Sequence, residues 1–354
     1  MAVYFSVLLI LSFLFIFSSA ENCQPVVRRL TYVCAAIMLT AVSGFRYMVG
    51  TDYVQYMSNY YRYLTNFSIF SQPALSIVAK TSSFIYDDYA TWFFLMAVIT
   101  VVPVIVMIVK RDKNVELAII LYLLIGCWHF SFNIVKQSAA ATVLFCGYNF
   151  LKERQFRQWC LICLLAATFH VSAILMLPVY FLADNKIDKR RIIILILAAF
   201  IIRFSYDKMF YMIAFLKRGE GLVDEYSATA NQSVNIFRVI VNCMPVIVYF
   251  VFRRVYEEVK SSDFYCLLNL SLLNAVLNIA SMGSIYLNRI CCYTNIFNVF
   301  FIPLLFPSLK PEYKKMKPML MTAYMIVMFL YFVFWSYDLY KGSDTVNYYW
   351  IFER

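Results

Sequence analysis

The chain has 354 residues, of which 63% are hydrophobic and 14% charged, with mean hydropathy +0.71. A soluble domain carries about 25% charged residues to cover its surface, so this composition excludes an ordinary soluble enzyme. The net charge of +11 resides in short basic loops that hold the cytoplasmic side of a membrane protein, not in a nucleic-acid surface.

The apolar runs are continuous rather than alternating, which favours helices over a barrel. At about 20 apolar residues per span, helices are expected at 2–20, 29–45, 91–109, 115–132, 134–150, 192–205, 236–252, 264–282, 290–308 and 318–337. Residues 1–20 end in Ser18-Ser19-Ala20, loosely like a cleavage site, but lack a positively charged start and read as a first span. No linker or repeat interrupts the chain. It reads as a single transmembrane domain over 1–354, with outward-facing loops at 46–90 and 205–235.

Orientation follows from lysine and arginine. The clusters at Arg28-Arg29, Lys110 to Lys113, Lys152 to Arg157, Lys186 to Arg191, Arg253-Arg254 and Lys310 to Lys317 all thread to the cytoplasm, with both termini outside. One segment, 159–182, tests this threading. As a single span it would put Lys186 to Arg191 outside. Two short helices that break near His170 and return at Pro178 keep that cluster inside. Such a broken pair is tolerated where it lines a protein cavity. The expected fold is an all-α polytopic membrane protein of about 10–12 transmembrane helices, including a broken or re-entrant pair near His170.

The ten cysteines lie mostly in apolar stretches and read as small packing residues. Cys160 and Cys163 form a CxxC inside an apolar run, without zinc or haem spacing.

A polar island stands out at Phe45-Arg46-Tyr47-Met48-Val49-Gly50-Thr51-Asp52-Tyr53-Val54-Gln55-Tyr56. Ionisable groups at a membrane boundary are costly and usually serve a ligand or a partner charge. Arg46, Lys136, Arg203, Arg238 and Arg289 sit at outward helix ends against the inside rule. Their ordinary reading is snorkelling, or pairing with Asp52 or Asp207. Several together suit an anion, since guanidinium binds phosphate bidentately and lysine adds a point charge. That points to an anionic lipid-borne ligand such as a pyrophosphate. His129 and His170 are the two histidines. A histidine on an apolar helix is more often structural, but His170 lies at the expected break and suits acid–base work. The tyrosines at 47, 53, 56, 60, 61 and 63 read as an interfacial belt or as a stacking surface for sugar rings, extended by Tyr348, Tyr349 and Trp350. Phosphate-loop, zinc-protease, nucleophile-elbow and kinase signatures are absent, and there is no room for a soluble nucleotide-sugar transferase domain. A glycosyl donor would therefore be lipid-linked.

Three segments carry a resemblance. Arg46 with Val49-Gly50-Thr51-Asp52-Tyr53 and Tyr56 is similar to an arginine, "VGTDY" and tyrosine pattern. Phe132-Asn133-Ile134-Val135-Lys136-Gln137-Ser138-Ala139-Ala140 is similar to an "FN-x-x-RQ-x-x-A" element. Phe169-His170-Val171-Ser172-Ala173 with Leu177-Pro178 is similar to an "FHxSA…LP" element. In these the chain resembles the EpsG family of exopolysaccharide proteins, and with it the Wzy-type polymerases of O-antigen and capsule. It departs at Lys136, where the pattern has arginine; lysine keeps the charge and loses the fork.

The resemblance implies a bacterial inner-membrane polymerase. It would transfer the growing glycan from its undecaprenyl-pyrophosphate carrier to a new lipid-linked repeat on the outer face, with membrane lipid around it and a chain-length regulator as a possible partner. Arg46, Lys136 and Arg289, with Arg238 behind them, are the candidates to offset leaving-group charge. Asp52 and His170 are the candidate bases; Asp52 could instead pair with and orient Arg46. Gly50, Thr51, Tyr53, Tyr56, Asn133 and Gln137 are the candidate substrate-binding residues, Gln137 and Tyr53 through sugar hydroxyls. No acidic DxD-like site is convincingly placed, Asp87-Asp88 reading as a loop feature, so no metal and no cofactor are expected. The rivals are a flippase for lipid-linked oligosaccharide, a membrane carbohydrate acyltransferase using His170, and a non-catalytic scaffold.

Overall fold

The computed structural model describes residues 1–20, 22–67, 72–111, 114–183, 234–256, 261–305, 317–341 and 347–354, with isolated positions between 193 and 204. Most of the expected helix 192–205, nearly all of loop 205–235, and the clusters at 186–191 and, apart from Lys317, at 310–317 lie outside the described residues. The chain is an all-α polytopic membrane protein. Among the described residues, four helices are long and apolar enough to cross a membrane: Pro25–Gly44, Tyr89–Arg111, Ser262–Ala280 and Lys317–Lys341. Five shorter apolar helices accompany them. The chain divides into two compact units, Met1–Leu177 with Tyr331–Arg354, and Pro178–Leu330.

The first unit begins with α1 (Ala2–Ser18), which buries Tyr4, Val7, Leu11, Phe15 and Ser18. These recur at helical spacing, while Leu9, Phe13 and Ile16 stay exposed on the other side as an apolar face suited to lipid. Arg28 closes the α1 C-terminus by donating from Nε to Ser18 O, 3.0 Å. This satisfies one of the orphan carbonyls every helix leaves at its end. α2 (Pro25–Gly44) starts with proline at its first turn, where the missing N–H is not needed. It packs along α5 (Tyr89–Arg111), and α5 packs in turn on α8 (Val135–Cys146).

The stretch 46–90, expected as a loop, contains two helices, α3 (Tyr53–Thr65) and α4 (Pro73–Ile85). α3 forms because Tyr53, Tyr56 and Tyr60 recur at helical spacing and bury one face. The expected span 115–132 breaks into α6 (Val115–Leu124) and a single turn, α7 (Cys127–Phe130). Gly126 between them has φ +87, a left-handed conformation that ends a helix and that glycine adopts without strain. α9 (Tyr148–Lys152) follows α8.

The broken segment at His170 has a definite shape. α10 (Phe156–Phe169) stops where His170 turns extended, and a 3₁₀ helix, Val171–Met176, follows. Trp159 in the first turn of α10 donates Nε1–H to Met176 O, 3.1 Å. The 3₁₀ helix therefore doubles back along α10, leaving His170 at the bend. α11 (Val179–Leu182) opens the second unit.

In that second unit helix Ile236–Val251 packs on Ser262–Ala280. In the described part of the expected span 290–308 lie two short helices, Cys292–Asn295 and Asn298–Leu304, preceded by Ile285–Ile290. All ten cysteines are free thiols.

Candidate functional site

Two of the three motif segments meet in the first unit. After α2 the chain forms a two-residue strand, β1 (Arg46–Tyr47), then turns through Gly50 into α3. Gly50 has φ +109, and a Cβ there would lie 2.7 Å from Phe132 O and 2.8 Å from Asn133 Oδ1. Only glycine lets the loop approach so closely in that conformation. Thr51 then donates its main-chain N–H to Asn133 Oδ1, 2.8 Å, and its hydroxyl to Asp52 Oδ1, 3.3 Å. One turn further, Lys136 Nζ stands 5.7 Å from the ring centroid of Tyr56. Thr51, Asp52, Asn133 and Lys136 are all half-buried or exposed, whereas Gly50 and Gln137 are buried.

The Thr51–Asn133 bond thus brings together the residues just before α3 and α8, and neither helix carries a side-chain cap at its N-terminus. Uncapped N–H groups at a helix start favour negative charge. Gln137, in the first turn of α8, keeps a buried Oε1 without a hydrogen-bond partner among the described residues.

Arg46 is placed differently from an open anion receptor. Its side chain is buried, 3% exposed. Nη1 donates to Ser43 O, Nε to Val49 O at 3.3 Å and Nη2 to Phe132 O at 3.4 Å. Phe93 and Phe132 each lie 4.9 Å from the guanidinium carbon. Three of its five N–H groups are engaged by carbonyls of α2 and of both motif segments. It ties β1, the Gly50 turn and the start of the FN-x-x-KQ segment together.

The tyrosines mostly build this scaffold. Tyr53 stacks on Phe93 with centroids 4.4 Å apart and donates Oη–H to Arg46 O, 3.3 Å. Tyr56 and Tyr63 pack on Trp92, and Tyr60 donates to Asp87 Oδ1, 3.1 Å. Tyr61 and Tyr349 keep exposed rings. Residues 347–354 do reach the site: β2 (Tyr349–Trp350) pairs antiparallel with β1, Arg46 opposite Trp350. Ile351 N–H donates to Phe45 O, 2.7 Å, and Arg354 pairs with Asp88 at 2.6 Å. This partner, with a main-chain bond from Ala90, holds the Asp88 carboxyl below the usual carboxylate range.

His170 Nδ1 lies 2.7 Å from Ser172 Oγ, and the α10–3₁₀ hairpin that carries it packs against α8. Arg238 and Arg289 belong to the second unit. Arg238 Nη1 donates to Asn288 Oδ1, 3.2 Å, beside Arg289.

Two features escaped the sequence reading. His129 Nε2 lies 3.0 Å from Asp338 Oδ2, a pair of a buried histidine and a half-buried carboxylate between α7 and helix Lys317–Lys341. The second unit also holds buried asparagines: Asn278 Nδ2 donates to Asn274 O, 2.9 Å, and Thr294 Oγ1 to Asn274 Oδ1, 3.0 Å. The i, i+4 asparagines in an apolar helix were the available signal; a lone Asp338 offered none. Among the described residues no group of three or more metal-ligating side chains is assembled.

The EpsG family model matches residues 29–350. The chain belongs to the EpsG family. The match covers the Gly50 turn, the Lys136 segment, the His170 bend and β2 together. EpsG membership carries a polysaccharide-polymerase type of role, hence a glycosyltransferase-like enzyme in a membrane. No curated protein and no solved structure matches the chain.

Proposed function

We propose that this EpsG protein polymerises undecaprenyl-pyrophosphate-linked oligosaccharide repeats into O-antigen, capsule or exopolysaccharide on the outer face of the bacterial inner membrane. The observation that supports this reading best is the joining of the Gly50-Thr51-Asp52 turn to Asn133 and Lys136. It brings a carboxylate, a cation and two helix starts without side-chain caps into one neighbourhood.

In this reading the donor's diphosphate sits at Lys136 and the N-termini of α3 and α8. The acceptor hydroxyl of an incoming lipid-linked repeat attacks the anomeric carbon of the growing chain. A new C–O bond forms as the bond to the diphosphate oxygen breaks, and the electron pair leaves with the diphosphate. Lys136 and the helix N–H groups offset the charge that develops there. Asp52 takes the hydroxyl proton, with His170 the second candidate. Arg46 is a positioning residue that holds both segments in register. Thr51, Asn133 and Gln137 meet sugar hydroxyls. The donor is lipid-linked and the reaction needs no metal. Direct displacement inverts the anomeric centre.

The test is deletion of the gene in its host, with the surface glycan run on a gel. Collapse of the ladder to a single repeat, restored by wild type but not by Asp52→Asn or Lys136→Gln at equal membrane levels, supports the polymerase. Loss of all surface repeats would instead indicate a flippase. An unchanged ladder with altered acetyl content would indicate an acyltransferase.

A further inference from the structure

α2 and α5 run antiparallel and leave between them an open groove of about 710 Å³. Its wall is aliphatic, with Ala36, Ile37 and Ala41 from α2 facing Val98, Val102 and Val106 from α5. Polar atoms are turned away from it: Tyr32 donates Oη–H to Glu116, 2.8 Å, and Thr40 is buried. Arg29 and Lys110 stand at one end, Phe45 and Phe94 at the other.

The Phe45 end adjoins the Arg46 cage residue by residue. Phe45 stacks on Phe94, centroids 4.9 Å apart. The next residue of the first segment, Arg46, lies 4.9 Å from the ring of the preceding residue of α5, Phe93. The groove and the Arg46 cage are thus neighbouring parts of one junction.

Length decides between occupants. From Arg29 to Phe45 the α2 backbone rises about 24 Å at 1.5 Å per residue. One leaflet of the hydrocarbon core is about 15 Å deep, half of its full thickness. A single phospholipid, headed at either end, would fill little more than half of the groove. A long isoprenoid chain descending from a diphosphate near the site would run the whole groove. Arg29 and Lys110 then remain in the opposite headgroup layer, as lysine and arginine do at helix ends.

We infer that the α2–α5 groove binds the polyisoprenoid tail of the lipid-diphosphate donor, with the tail entering at Phe45 and Phe94. This rests on the polymerase reading and names where its lipid part is held.

The experiment uses full-length protein in liposomes. Donors carry the same oligosaccharide diphosphate on either a full-length polyprenyl chain or a geranyl-length chain. Val98→Trp and Ala36→Trp fill the groove from its two walls. The expected result is a KM for the long donor raised at least about tenfold, with kcat retained and the short donor unaffected. Equal loss on both donors, or none on either, would overturn the inference. A polyprenyl diphosphate carrying a photoreactive group near its tail end, used alone, reads binding without turnover. Crosslinks on α2 and α5, abolished by Val98→Trp, support the groove even if wild type polymerises neither donor, in which case the polymerase reading fails by itself. Crosslinks elsewhere overturn it. So does competition by anionic phospholipid that is lost in Arg29→Gln/Lys110→Gln, which would assign the groove to phospholipid.

Discussion

The main-chain N–H of Thr51 meets Asn133 Oδ1 at 2.8 Å, and this contact joins segments 82 residues apart in the chain. It depends on Gly50, whose missing side chain lets the turn rest on Phe132 O. Asp52 on one side of the contact and Lys136 on the other are thereby fixed relative to each other.

Gly50→Ala is expected to separate these segments. The new methyl would meet two oxygens inside 3 Å, in a left-handed conformation. Together these should cost about 1–3 kcal/mol. Asn133→Ala removes one hydrogen bond and should cost about 1 kcal/mol. Thermal unfolding in detergent ranks the two, and polymer formation should fall in the same order.

Arg46→Met is expected to destabilise the fold by about 3–5 kcal/mol, because it leaves carbonyls of Ser43, Val49 and Phe132 without their donor in a buried place. Arg46→Lys keeps the charge but loses the fork, so it should recover only part of the stability. A residue that only bound phosphate would show the opposite pattern: lost activity with unchanged unfolding temperature in both variants.

The His129–Asp338 pair ties the turn just before Phe132 to helix Lys317–Lys341. Removing either side chain loses their 3.0 Å contact, at about 1–3 kcal/mol. His129→Leu and Asp338→Leu should each lower thermal stability, and the double variant should be less unstable than the sum of the two. Additivity in that cycle would show that the two side chains do not interact.

The Asp88–Arg354 pair gives the strap at residues 347–354 a pH dependence. The folded-state pKa of Asp88 is depressed. Its contribution is therefore present above the ordinary carboxylate value of about 4 and is lost as pH falls through the lower folded value. Hydrogen exchange at Ile351, whose N–H bonds Phe45 O, should stay equally protected between about pH 6 and 8 once intrinsic rates are removed. Asp88→Asn should lower that protection throughout the range.

Much of this was readable in the sequence because membrane spans write themselves as long apolar runs. The bend at His170 was also legible, since keeping the basic clusters at 152–157 and 186–191 on one side of a membrane calls for a break there. The helix α3 was not, because its buried Tyr53, Tyr56 and Tyr60 have the composition of an interfacial belt and only their spacing marks a helix. The break at Gly126 was hidden inside an apolar run whose hydropathy does not change. Arg46, Asn133 and Lys136 were recognisable as special residues. That Arg46 is caged by carbonyls while Lys136 is only half-buried depends on tertiary contacts that no local pattern encodes. His129 and Asp338 lie 209 residues apart, and their pairing is likewise a product of the fold.

The most direct measurement is polymerisation by purified protein in liposomes, with a lipid-diphosphate-linked repeat as sole donor and acceptor and with EDTA present. The account predicts a ladder of products from wild type, and at least about a hundredfold slower product formation from Lys136→Gln with an unchanged unfolding temperature. A ladder that requires an added divalent ion, or a Lys136→Gln protein as fast as wild type, would contradict it.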